Sequence, residues 1–161
     1  MFMRKFEHIE RTVVVAVAVL FVLALTGYLH FRMPPQDMWL FGDSMASLCP
    51  FAYPRVSSCS WTTEQLLTVV KYLPDDGSVK RVIVMTGTND KAAGVSDGVL
   101  DLRMDMLVKR LSVRCPDAQI TIISPHVFES LPPHLKLTGD SHPNRRGYTE
   151  IFRRFNLPTA F

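Results

Sequence analysis

Ser44, Asn89, Asp140 and His142 are residue types that can share one reaction. A serine hydroxyl becomes a nucleophile when a base takes its proton, and an imidazole titrating near neutrality is the usual base. A carboxylate beside that imidazole holds the right tautomer and stabilises the charged form. An ester carbonyl turning tetrahedral develops negative charge on oxygen, which fixed N–H donors stabilise. The chemistry these side chains could perform together is acyl transfer through a serine.

Such residues must be delivered to one place by elements the sequence can form. Met38-Trp39-Leu40-Phe41 is a continuous apolar run of the kind buried on both faces of a parallel sheet, and Gly42-Asp43-Ser44 follows it directly. A strand that stops at Gly and hands Ser to the first turn of a helix leaves the hydroxyl at the carboxyl edge of the sheet, with backbone N–H groups around it. The strand Val82 to Thr86 delivers Gly87-Thr88-Asn89-Asp90 in the same way. Asp140-Ser141-His142-Pro143-Asn144 lies ahead of a terminal helix whose apolar face is Tyr148, Ile151, Phe152 and Phe155. His126 and His134 compete with His142 for the role of base.

Ser, Gly, Asn and His in this order resemble the SGNH hydrolases, also called the GDSL esterase/lipase family, in short blocks spread over roughly Met38 to Tyr148. The resemblance implies Ser44 as nucleophile, His142 as base and Asp140 as its acid. It also implies an oxyanion hole made of the backbone N–H of Ser44, the backbone N–H of Ser60 and the side-chain amide of Asn89, with Asp43, Gly87 and Asp90 in support. Asp43 is expected to organise its own loop, and Asp90 to tie its loop through backbone hydrogen bonds. Two positions depart from the family pattern. The acid usually stands three residues before the His, where this chain has Gly139, and Ser60 in Ser58-Cys59-Ser60-Trp61 occupies a position that is usually Gly. No metal and no organic cofactor is implied, and neither cysteine spacing nor a neighbouring His forms a zinc pattern.

The intervening sequence predicts an α/β domain. Ala52 to Ser57 reads as a second strand, demoted to an edge by Pro54. Thr62-Thr63-Glu64-Gln65 is a capping-box pattern opening a helix over 63–73, which Pro74 and the Asp75-Asp76-Gly77-Ser78 turn end. A second helix is predicted over 99–113, broken by Cys115-Pro116-Asp117, and a further strand over 119–124. Strand and helix alternate as in a parallel sheet with ligands outside the strands' carboxyl ends. From His126 to Gly139 no periodic helix is visible, so the expected architecture is a three-layer, flavodoxin-like parallel sheet of about four strands, trimmed relative to the family.

The chain has 161 residues, enough for one modest domain and an extra segment, and its 18 basic and 15 acidic residues are interspersed. The absence of a Lys/Arg-rich block argues against a nucleic-acid role. The run TVVVAVAVLFVLALTGYL over 12–29 is uncharged and long enough for a hydrocarbon core. Arg4, Lys5 and Arg11 precede it and a good cleavage site is lacking after it, which predicts an uncleaved signal anchor with its amino terminus in the cytoplasm. The expected organisation is a cytoplasmic amino terminus over 1–11, a transmembrane anchor over 12–31, a Pro-containing linker over 32–37 and the hydrolase-like domain over 38–161, periplasmic or extracellular. On that side disulfides persist, and Cys49 with Cys59 is the expected pair among three cysteines, against the alternative of three buried thiols. The expected partners are an acyl-ester substrate (lipid, glycan or small ester), the membrane and envelope proteins. Two further functions stay open: an envelope O-acyltransferase, and a weak or inactive domain kept as a structural subunit of an envelope assembly.

Overall fold

A computed structural model of the chain describes residues 15, 17–23 and 36–159. The chain divides into two units, Met1–Met33 and Pro34–Phe161. In the first, the described residues 15 and 17–23 are helical and exposed. Among the described residues no helix is long and apolar enough to cross a membrane, and most of the anchor predicted over 12–31 lies outside them.

The second unit is an α/β domain built on four parallel strands, β1 Met38–Gly42, β2 Arg55–Ser57, β3 Arg81–Met85 and β4 Gln119–Ile123. They lie in the order β2-β1-β3-β4, the arrangement of a flavodoxin-like sheet. Register runs straight across the centre: Met38 faces Arg81 and Gly42 faces Met85, while Arg81 faces Gln119 and Met85 faces Ile123. β2 is shorter than the strand expected over 52–57. Pro54 has no N–H to give to the ladder, although its carbonyl still accepts from Leu40 at 2.9 Å.

Alternation along the strands assigns every second residue to one of two cores. Met38, Leu40, Ile83, Met85 and Ile123 pack with Phe51, Phe128, Tyr148, Ile151 and Phe152 on one face. Phe41, Val82 and Val84 pack with Leu66, Leu107 and Leu111 on the other. The helices that supply these partners are α1 Ser44–Ser47, α2 Thr63–Val69 (continued as a 3-10 turn Val70–Tyr72), α3 Thr88–Ala92, α4 Asp97–Arg114, α5 Pro125–Glu129 and α6 Arg145–Arg154. Gln65 Oε1 accepts from the Thr62 N–H at 2.9 Å, one half of the capping box read at the start of α2.

Two expectations need correction. The segment from His126 to Gly139 does contain helix: α5 opens on Pro125 at its first position, and a 3-10 turn Pro133–Leu135 follows. Both pieces are too short for a 3.6-residue period to register, but Phe128 and Leu131 still bury fully against the sheet. The disulfide is absent. Cys49 is buried in the core beneath α1, Cys59 is exposed in a turn beyond β2, and these two and Cys115 are free thiols. Burial pushes the Cys49 thiol up to about 11.

Candidate active site

β1 ends at Gly42, and Asp43 caps the single turn of α1, its Oδ1 accepting from the Met45 N–H at 2.9 Å. Ser44 is therefore the first helical residue, where an N–H has no intrahelical acceptor, and the residue is 6% exposed. Asp43 itself is fully buried, and its other oxygen accepts from the Thr88 hydroxyl at 2.7 Å. Burial raises the Asp43 carboxyl above the usual carboxylate range, against the hydrogen bonds from Met45 and Thr88. The organiser expected of its own loop thus also ties β1's end to the start of α3.

His142 reaches Ser44 from the far end of the chain, and the elements around it show how. Leu137 N–H donates to His142 O at 2.8 Å, and Lys136 and Pro143 form an antiparallel bridge, so residues 136–143 make a small hairpin. Its turn is Leu137 to Asp140, closed by Asp140 N–H to Leu137 O at 3.1 Å, with Gly139 at φ 74. That is the left-handed third position which a type II turn reserves for Gly. Position 139 is thus taken by the turn, and the carboxylate stands at the next residue, Asp140. Asn144 then caps α6: its Oδ1 accepts from Gly147 N–H at 3.1 Å, while its amide donates to His134 O at 2.8 Å and Lys136 O at 3.1 Å.

The result is a continuous relay. Ser44 Oγ lies 2.8 Å from His142 Nε2, and His142 Nδ1 lies 2.6 Å from Asp140 Oδ1. Because an ionised carboxylate only accepts, Nδ1 carries the proton and Nε2 is left to accept from the serine hydroxyl. The same Asp140 oxygen accepts from the His142 backbone N–H at 3.1 Å, which fixes the side chain from two directions. The hydrogen bond from His142 holds the Asp140 carboxyl below the usual range, so it stays ionised. His126 instead pairs with Glu129 at 3.2 Å, and His134 contributes its carbonyl to Asn144.

The predicted oxyanion donors stand differently. Asn89 Nδ2 donates to Trp61 O at 2.8 Å and to Cys59 O at 3.0 Å, so its amide braces the 59–61 turn in this conformation. Ser60 lies exposed in that same turn. Gly87 precedes α3 at φ 102, where a Cβ would also press on Pro125 and Leu100. Asp90 closes its own loop through its carbonyl, which accepts from the Ala93 and Val95 N–H groups at 3.1 and 3.0 Å, and its side chain reaches further. It is fully buried, and Oδ2 accepts from the Thr63 N–H and hydroxyl, both at 2.7 Å, while Oδ1 accepts from Arg103 at 2.9 Å, joining α2 to α4.

Two supports of the serine turn carry no sequence signal of their own. Arg55 on β2 donates to the carbonyls of Ala46, Ser47, Cys49 and Phe51 at 2.6 to 3.1 Å, closing the carboxyl end of α1 where orphan carbonyls gather. Tyr148 on α6 is buried, and its hydroxyl donates to Met45 O at 2.9 Å, linking α6 directly to the turn that holds Ser44. An isolated Arg in a strand or Tyr in a helix gives no hint of such reach. Asn144, directly before the helical pattern of α6, is a support that an N-cap signal could have found.

No family model matches the chain, and no curated protein matches it. Among solved structures, a chain from Streptococcus pneumonia whose description names a platelet activating factor is similar at 19% identity and a TM-score of 0.48, over 68% of this chain. The present chain spans 59% of that structure's length.

Proposed function

We propose that this chain is a membrane-anchored serine esterase of the SGNH kind, cleaving an acyl ester outside the cytoplasm. The observation that carries the proposal is the relay from Ser44 Oγ through His142 to Asp140, with separations of 2.8 and 2.6 Å at the carboxyl edge of a parallel sheet. His142 Nε2 takes the hydroxyl proton as Oγ bonds to the ester carbonyl carbon, and Asp140 stabilises the imidazolium. Return of that proton to the leaving alcohol breaks the ester bond and leaves an acyl-serine. Water, deprotonated by the same nitrogen, then releases the acid and restores Ser44. The free first-turn N–H of Ser44 faces developing charge as an oxyanion donor, and the Asn89 amide joins it by exchanging a carbonyl of the 59–61 turn for the substrate oxygen.

A fluorophosphonate probe tests this reading. Stoichiometric, covalent labelling of folded protein is expected, located at Ser44 by peptide mass and absent in Ser44→Ala. Folded protein that takes no label sinks the esterase. That outcome would favour the second reading, a structural subunit of an envelope assembly, for which the engaged Asn89 amide and the serine at position 60 are the motivating observations.

A further inference from the structure

The edge of the sheet opposite Ser44 carries a different surface. Asp37 O accepts from the N–H groups of Lys80 and Arg81 at 2.8 and 3.0 Å, and Gln119 N–H donates to Lys80 O at 2.9 Å. The starts of β1, β3 and β4 therefore share one edge. The ends of α2 and α4 return to it: Arg114 donates to Leu73 O at 2.7 Å and to Lys71 O at 2.9 Å, and the Cys115 thiol donates to Pro74 O at 3.4 Å. Between those helix ends lies an open groove of 720 Å³ lined by Leu67, Lys71, Asp75, Lys109, Arg110 and Val113, among others.

Charge in this groove is one-sided. Its cations are Lys71, Lys109, Arg110 and Arg114, and its carboxylate, Asp75, is already paired with Arg114. Among the described residues no acid forms an ion pair with Lys71, Lys109 or Arg110: Lys71 lies 5.3 Å over the Tyr72 ring, and Arg110 donates to Leu67 O at 2.8 Å. Two apolar side chains stand out beside these cations, Val113 in the groove at 84% exposed and Tyr72, next to Lys71 and outside the lining, at 63%. Cationic heads around an aliphatic and an aromatic tip are what a lipid headgroup layer recognises, the apolar tips entering it and the charges meeting phosphate. The amino-terminal half of α4 has the reverse character, with Val99, Leu102 and Met106 set among Asp97, Asp101 and Asp105, so an anionic surface would be repelled there.

Chain geometry selects lipid over another macromolecule. The domain is entered at Gln36 and Asp37, on this same edge, and the apolar run over 12–29 lies upstream. The residues between Leu29 and Asp37 reach at most about 25 Å when extended. We propose that the groove between the ends of α2 and α4 rests on anionic phospholipid of the membrane that anchors the chain. This inference rests on the anchoring in the proposed function. It has a consequence for substrate: the edge bearing Ser44 is turned away from the bilayer, so the ester arrives from the aqueous or wall side and is not a lipid of the anchoring membrane.

The test uses the full chain in nanodiscs, with an environment-sensitive fluorophore on Val113→Cys in a Cys59→Ser background. In discs containing phosphatidylglycerol the label is expected to be about twofold brighter than in phosphatidylcholine alone and to be quenched by lipid-borne nitroxides. Both effects should vanish in about 1 M salt, where the Debye length falls to about 3 Å, and in the Lys71→Glu/Lys109→Glu variant. A label indifferent to headgroup in an anchored chain overturns the docking alone. Brightening that depends on protein concentration and not on lipid charge overturns it in favour of a second copy. A chain that washes off the disc removes anchor and docking together, while fluorophosphonate labelling of Ser44 in the same samples reports the esterase separately.

Discussion

Asp140 sits two residues before His142, with Gly139 at φ 74 closing the turn between Leu137 and Asp140. A side chain leaving the backbone one residue later departs at another angle, which is why spacing alone cast the acid as displaced. The turn supplies the missing rotation and brings Oδ1 to 2.6 Å from Nδ1. Asp140→Asn is therefore expected to cost about 10⁴ in kcat, because a carboxamide can present N–H to Nδ1 and enforce the wrong tautomer. His142→Ala should match it, and circular dichroism should show both variants folded. A loss of less than about tenfold for Asp140→Asn would reduce the relay to a Ser–His dyad. That Ser44 and His142 meet was legible because each follows a recognisable local pattern. The actual partners of Asn89 and Asp90 were not, since Cys59, Trp61, Thr63 and Arg103 are distant in sequence and only the sheet brings them near.

At the scale of elements, α6 does more than fill the core. It holds Ile151 and Phe152 under the sheet, with the Phe152 ring 4.6 Å from Phe51 in an edge arrangement, and it carries Tyr148 to the serine turn. Its exposed side is an ion-pair cluster in which Glu150 accepts from Arg153 at 2.9 Å and Arg154 at 3.0 Å. Hydrogen bonds from Arg153, then Arg154, lower the Glu150 carboxyl from 4.5 to about 2. A depressed carboxylate adds stability above its unfolded value and loses it as pH falls through the folded one. The melting temperature of Glu150→Gln should thus lie slightly below the parent's at pH 6, and the gap should close between pH 4.5 and about 2. A gap constant across that window would remove the ion pairs from the account; it is expected to be small because Arg153 and Arg154 are exposed and Glu150 is only half-buried. The helix was legible from its apolar face, β1 and β3 from their continuous apolar runs, and β4 from its isoleucines ahead of Pro125. α5 was not, because five residues opening on Pro125 present one turn and no period.

For the whole molecule, the sheet separates the edge with the serine turn from the edge with the basic groove. The prediction that the domain lies outside the cytoplasm rests on an uncharged run over 12–29 preceded by Arg4, Lys5 and Arg11. The three thiols give a direct test, because they differ so much in exposure. Cys49 and Cys115 are each 3% exposed, whereas Cys59 lies exposed in its turn and forms no disulfide. Burial also raises both buried thiols, Cys49 to about 11, so thiolate is scarce at neutral pH and neither should react with maleimide while the domain is folded. A maleimide that cannot cross a bilayer should therefore attach one label per chain in intact cells or spheroplasts, at Cys59. Denaturation should then expose the remaining two, with three labels in total without reductant. Protection of Cys59 until the membrane is opened would place the domain in the cytoplasm and remove both the anchor orientation and the outward-facing ester. A denatured total of one would restore the Cys49 and Cys59 disulfide, which requires Cys49 to leave the core beneath α1 and should register as a rearranged serine turn in the fluorophosphonate assay.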